Sequence, residues 1–154
     1  MLSMSYPHLT VAVVCLKDNK MLMVNEIDNG INCWNQPAGH VEQGEDLITA
    51  AQREALEESG YAVEITGLKA IYQGIHGTSG THYLRVCFHA VALERLTETL
   101  DPDILSAQWL DLDDLQADKY QLRSELTRQT LEDCPDAPIY PVNLIHDLYL
   151  GDHQ

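Results

Sequence analysis

With 154 residues, 45% of them apolar, the chain is the size of one ordinary domain and has material for a single continuous core. Residues 1–154 are expected to fold as one domain. Its formal charge of −15, from 24 Asp and Glu against 9 Lys and Arg, repels nucleic acid polymers and anionic membrane surfaces, which argues against both as partners.

A phosphorylated small molecule is compatible with such a field if bound cations reverse it locally, so the composition favours a metal requirement. Cys15, Cys33, Cys87 and Cys134 form no C-x-x-C pair and have no histidine at zinc-finger spacing. They point to reduced thiols and a cytoplasmic location. The opening residues lack a basic stretch followed by an apolar one, and no apolar run is long enough to span a bilayer. Neither export nor membrane anchoring is expected.

In chain order, the apolar runs Leu9–Leu16 and Met21–Val24 flank the turn residues Lys17-Asp18-Asn19-Lys20 and predict a β-hairpin. Residues 25–32 read as a polar connection to a short strand at Cys33-Trp34-Asn35, ended by Pro37 and Gly39. A long helix is predicted over Asp46–Ser59, with Asp46 in an acidic first turn and Gly60 as the stop. Tyr61–Gln73 and Thr81–Leu93 predict two strands joined by a glycine-bearing loop around His76, either a lid or a plain hairpin connection. Ser106–Leu110 predicts a further strand. Leu112–Ala117, Leu122–Asp133 and Val142–Leu150 predict helices, the middle one presenting Leu122, Leu126 and Thr130 on one face. Strands around one early helix, followed by late helices, indicate an α/β or α+β layered fold.

The chemistry is concentrated on the early helix. Glu54, Glu57 and Glu58 stand at i, i+3 and i+4, so their carboxylates crowd one side. That arc adjoins the apolar stripe of Leu47, Ile48, Ala51 and Ala55, whereas a merely solvated acidic face would lie opposite the core. Like charges held beside a core call for a cationic partner. The surrounding residues, Gly39 to Tyr61, fit G-x5-E-x7-R-E-U-x-E-E-x-G-U, where U is a bulky apolar residue. This pattern resembles the box of the Nudix hydrolase family at all its charged and glycine positions; the departures are Ala55 and Tyr61 at the two U positions.

The resemblance implies a Nudix-type α/β/α sandwich with a mixed sheet and a catalytic loop–helix. It implies that Glu54, Glu57 and Glu58 hold Mg²⁺, with Mn²⁺ as a substitute, helped by the backbone carbonyl of Ala38. Glu57 or Glu58 would serve as general base. Gly39, Glu45, Arg53 and Gly60 take structural roles, Arg53 pairing with Glu45 to hold the loop against the helix. The family often adds a metal-proximal acid from outside the box; Asp103 matches that placement, with Glu98 and Asp101 as substitutes.

Trp34-Asn35-Gln36-Pro37-Ala38-Gly39-His40-Val41-Glu42, Leu84-Arg85, Leu122-Arg123-Ser124 and Tyr140-Pro141 are similar to the NudJ-type phosphatases within the family. That likeness implies hydrolysis of small nucleoside di- and triphosphates, or of thiamine or hydroxymethylpyrimidine pyrophosphate, with release of orthophosphate. Release of pyrophosphate from a triphosphate, or a non-catalytic nucleotide-sensing module, are the alternatives. The expected partner is a small phosphorylated molecule, and the expected assembly a monomer or homodimer. Arg85, His40, Gln36 and Trp34 are the candidate substrate contacts. Arg85 would meet phosphate or close a structural ion pair, His40 and Gln36 border the catalytic loop, and Trp34 would stack on a base or fill the core.

Overall fold

A computed structural model describes residues 6–148. Strand β1 (His8–Lys17) turns into β2 (Lys20–Asp28) through Asp18 and Asn19, whose φ angles of 52° and 59° are those of a two-residue hairpin turn. The expected hairpin exists only at its tip, where Leu16 faces Met21 and Lys17 faces Lys20. Beyond it the strands part, because Val11–Cys15 and Met21–Val24 are buried on both faces and each run is covered from two sides.

Residues 25–32 are not a loose connection, as the sequence suggested. Strand β2 continues to Asp28 and turns at Asn29-Gly30 into β3 (Ile31–Asn35), in register from Val24↔Asn35 to Asp28↔Ile31. The Asn-Gly dipeptide supplies the left-handed turn, and the Asn25 amide donates to the Cys33 carbonyl at 3.0 Å, so the polar residues serve strand pairing. Strand β4 (Ala38–His40) pairs with β1. Asp46 is the N-cap of helix α1 (Leu47–Ser59) and not a first-turn residue; its carboxylate accepts from Thr49 N at 2.7 Å.

Strands β5 (Tyr61–Ile75) and β6 (His82–Arg95) form a long antiparallel pair, and β6 lies parallel to β1. Strand β7 (Ile104–Asp111) pairs with β2, giving a mixed seven-stranded sheet. Helices α2 (Leu112–Gln116) and α3 (Glu125–Glu132) follow. Helix α3 starts three residues later than predicted, because Leu122 is drawn into a bridge with Trp34; its buried face is therefore Thr127, Thr130 and Leu131. The predicted helix Val142–Leu150 is only a 3-10 turn at Val142–Leu144 with irregular chain to residue 148, and Tyr149 and Leu150 lie outside the described residues. This segment serves as cover, with Val142 and Ile145 packed on the core and the Asp147 carboxylate accepting from the Leu47 N–H at 3.1 Å.

Helices cover both faces of the sheet. Ala50, Ala51 and Ala55 of α1 pack on Val11, Val13, Val86 and Phe88, their small side chains letting the helix lie close to the strands. On the other face Leu112, Leu115 and Leu131 pack on Ala12, Val14, Met21 and Cys87. The result is the expected layered α+β architecture, with the end of α1 held beside the β4 edge.

Candidate active site

Glu54 and Glu58, one helical turn apart on α1, meet Asp101 from the β6–β7 connection, each offering an oxygen within 4.8 Å of the others. Asp101 is fixed through its backbone: its N–H donates to the Glu57 carbonyl at 2.9 Å, and its carbonyl accepts from Ile104 N at 2.9 Å. Glu58 Oε1 accepts from the Ala38 N–H at 2.8 Å. The Glu54 carboxylate lies against the α-carbon of Gly39, where an added Cβ would stand 2.1 Å from Glu54 Cδ. Only glycine lets β4 pass at that distance.

Burial pushes the Glu58 carboxyl up to about 8, opposed by the Ala38 hydrogen bond and reinforced by Glu54, Glu26 and Asp101. Burial also raises Glu54, against the neighbouring Arg53. Three hard oxygens brought together at this cost form a donor set that suits a divalent cation such as Mg²⁺.

Arg53 ties the catalytic loop to the helix. Its Nε and Nη2 donate to the two Glu45 oxygens at 2.7 and 2.9 Å, and Nη2 also donates to the His40 carbonyl at 3.0 Å. Nη1 donates to Glu54 at 2.8 Å and Glu57 at 3.1 Å. This fork holds the Glu45 carboxyl below the usual carboxylate range. Gly60, at φ 81°, ends α1, and its carbonyl accepts from Leu96 N at 2.8 Å, tying the chain after β6 to the helix end.

The carboxylates open onto a cavity of about 1380 Å³. Arg85 and His40 line it; Gln36 and Trp34 do not. Trp34 packs edge-to-face on Tyr120 with ring centres 5.8 Å apart, and its N–H and carbonyl bond to Gln121 and Arg123, so it belongs to the core. Gln36 is fully buried, with Nε2 3.8 Å from Cys87 Sγ. Glu57 stands outside the three-carboxylate group, on Arg53. Asp103 lines the cavity and is exposed, while Asp101, expected only as a substitute, takes the place beside the glutamates. Ala38 lines the cavity and gives its N–H to Glu58.

Two residues that no local motif marks also reach the cavity, Thr10 and Tyr72, brought there by strand register alone. A polar residue inside the apolar run Leu9–Leu16 was the one available signal for Thr10. Arg123, at the rim, bonds Glu26 at 2.8 Å and lies 3.8 Å from Asp28. The four cysteines are buried and unpaired, and no helix among the described residues is long and apolar enough to cross a membrane.

Comparison with known proteins places this geometry. The NUDIX domain model matches residues 6–130. Phosphatase NudJ of Escherichia coli strain K12 is 38% identical over 144 residues, 92% of each chain, and that of Shigella flexneri matches equally well. A NUDIX hydrolase from Nitrosomonas europaea superposes with a TM-score of 0.87 at 36% identity, covering 93% of this chain and 98% of its own. The MutT NUDIX hydrolase from Burkholderia pseudomallei gives 0.72 at 26% identity, covering 84% of this chain and 99% of its own. The chain belongs to the Nudix family and is a Nudix hydrolase.

Proposed function

We propose that this hydrolase is a metal-dependent phosphatase of small diphosphates and triphosphates, releasing orthophosphate. Nucleoside di- and triphosphates and thiamine or hydroxymethylpyrimidine pyrophosphate form the substrate class. The observation that carries the reading is the meeting of Glu54, Glu58 and Asp101 at a cavity walled by Arg85, in a chain 38% identical to phosphatase NudJ across 92% of its length.

Glu54, Glu58 and Asp101 would hold Mg²⁺, with Mn²⁺ as substitute and Glu57 and the Ala38 carbonyl as further donors. When bound, the cation supplies charge neutralisation of the phosphates and a water of lowered pKa. The remaining work falls to the chain itself. Arg85 and His40 bind phosphoryl oxygens and align the scissile bond for in-line attack. A carboxylate of α1, Glu57 or Glu58, accepts the proton of the attacking water. Arg53 and Glu45 fix the loop carrying His40, and Gly39 lets Glu54 reach its place beneath β4.

The test is to incubate the protein with Mg²⁺ and, separately, thiamine pyrophosphate, a nucleoside diphosphate, a nucleoside triphosphate and ADP-ribose, resolving phosphate from pyrophosphate. Orthophosphate from the first three is expected, with stepwise shortening of the triphosphate. Pyrophosphate as the main product of the triphosphate, or ADP-ribose as the sole substrate, overturns the phosphatase reading.

A further inference from the structure

A row of directly paired residues crosses four strands beneath the cavity: His40 on β4, Thr10 on β1, Arg85 on β6 and Tyr72 on β5. Residues paired across strands share a face of the sheet, about 4.8 Å apart. All four line the same cavity. Thr10, Arg85 and Tyr72 each carry a buried polar atom without a hydrogen-bond partner among the described residues. Arg85 is 7% exposed and Thr10 4%, yet Arg85 Nε and Nη1 and Thr10 Oγ1 meet no partner among the described residues.

A buried guanidinium without an acceptor is among the costliest groups a fold can hold. Arginines kept for structure carry carboxylate partners, as Arg53 and Arg123 do here. Among the described residues no carboxylate bonds Arg85 through Nε or Nη1. The groups in whose field it lies are Glu58, Arg123, Tyr83 and Cys87, with Glu58 the single carboxylate among them. Arg85 therefore feels both the metal-suited cluster, through Glu58, and the cationic Arg123. At its heart the row offers a rigid fork and a hydroxyl, donors suited to the oxygens of a tetrahedral anion.

We propose that Arg85 and Thr10 form the subsite that holds the phosphoryl group adjacent to the one released. The inference rests on the phosphatase reading above. The released phosphoryl lies at Glu54, Glu58 and Asp101, and its neighbour is gripped by the Nε and Nη1 edge of Arg85 with the Thr10 hydroxyl beside it. The organic part extends to the open rim near Tyr83 and residues 74–80 and contributes less. One subsite for the shared diphosphate then serves several different organic groups.

The experiment is calorimetric titration of the full chain, with Mg²⁺ present, using methylenediphosphonate and methylphosphonate as probes. Wild-type protein is expected to bind the diphosphonate at least about 30-fold more tightly. Arg85→Lys, which keeps the charge and loses the fork, is expected to cut that preference about 10-fold or more. Thr10→Val, close in shape, is expected to cut it about 3- to 10-fold, the range of one hydrogen bond, with methylphosphonate binding unchanged. An undiminished preference in a folded Arg85→Lys protein overturns the proposal. Should that variant fail to fold, an undiminished preference in Thr10→Val overturns it. Product analysis of the wild type separates failure of the subsite from failure of the phosphatase assignment. Pyrophosphate released from a triphosphate would reject the phosphatase assignment, whereas the subsite stands or falls on the diphosphonate preference.

Discussion

Two arginines serve this site and are built in opposite ways: Arg85 lines the cavity, whereas Arg53 reaches it only through Glu54, one of the carboxylates that do. Arg53 spends its fork on Glu45, Glu54, Glu57 and the His40 carbonyl, all within the loop and helix of residues 40–57. Arg85 is the more deeply buried of the two and bonds none of the described residues through Nε or Nη1. Saturated hydrogen bonding fixes a geometry before substrate arrives, which is what a catalytic loop requires. Unspent donors in a buried wall leave their bonding energy to be recovered from a ligand. Arg53 thus belongs to the part of the site that holds its shape, and Arg85 to the part that binds.

The largest effect is expected at the cation-suited cluster. Glu58→Gln should lower turnover by on the order of 10³-fold while circular dichroism shows the native fold. Excess chelator should abolish turnover in the wild type, and Mn²⁺ should restore part of it. Undiminished hydrolysis in chelator would remove the metal from the reading altogether.

Arg53→Ala tests the saturated half. It strands Glu45 and releases the loop, so activity is expected to fall about 10- to 100-fold through lost positioning. Stability should fall by about 1–3 kcal/mol, from several charge-assisted bonds that are partly exposed. Hydrogen exchange over residues 40–45 should quicken. If activity fell with exchange and metal affinity unchanged, Arg53 would be acting on the substrate and the contrast between the two arginines would collapse.

The pH dependence of the metal-free protein sharpens the picture further. Burial raises the Glu58 carboxyl from 4.5 to about 8, so between those values the folded chain keeps a proton that the unfolded chain has released. Stability from this group is then present at low pH and lost as pH climbs toward 8. Glu54, raised for the same reason, acts in the same direction. The melting temperature of Glu58→Gln is expected to exceed that of the wild type by a margin that widens from pH 5 to pH 8 in chelator. Adding Mg²⁺ should close it. A margin independent of pH would mean that Glu58 is ionised in the folded chain throughout.

The saturated half was legible in the sequence because its contacts are local. Gly39, Glu45, Arg53, Glu54, Glu58 and Gly60 lie in one loop and one helix, where spacing fixes which side chains meet. The β5–β6 pair and α1 were legible for the same reason, through an uninterrupted pattern and a glycine stop. What escaped depends on long-range register. The parting of β1 and β2, the extension of β2 through Asn25 to Asp28, and the row that sets Thr10 beside Arg85 follow from which strands pair. Trp34, left open between base stacking and the core, packs against the core, and Gln36, expected to border the catalytic loop, is fully buried. The late helix failed because Asp147 serves the start of α1 in place of its own helix.

The smallest expected effect distinguishes two aspartates. Asp103 suits the family's extra acid by its position before β7, but the turn that begins at Asp101 decides otherwise. The Asp101 N–H is anchored on the Glu57 carbonyl and its carbonyl receives Ile104 N, so its carboxylate is aimed at Glu54 and Glu58. Asp103, exposed on the same turn, faces the cavity without joining the group. Asp101→Asn is therefore expected to weaken Mg²⁺ binding about 10-fold, in line with losing one charged ligand. Asp103→Asn should change it less than about 3-fold, because an exposed carboxylate acts on the cation only through screened solvent. Isothermal titration of Mg²⁺ into each variant reads the difference directly. The reverse order would return Asp103 to the metal, and would require the turn at residues 101–104 to rearrange when the cation binds.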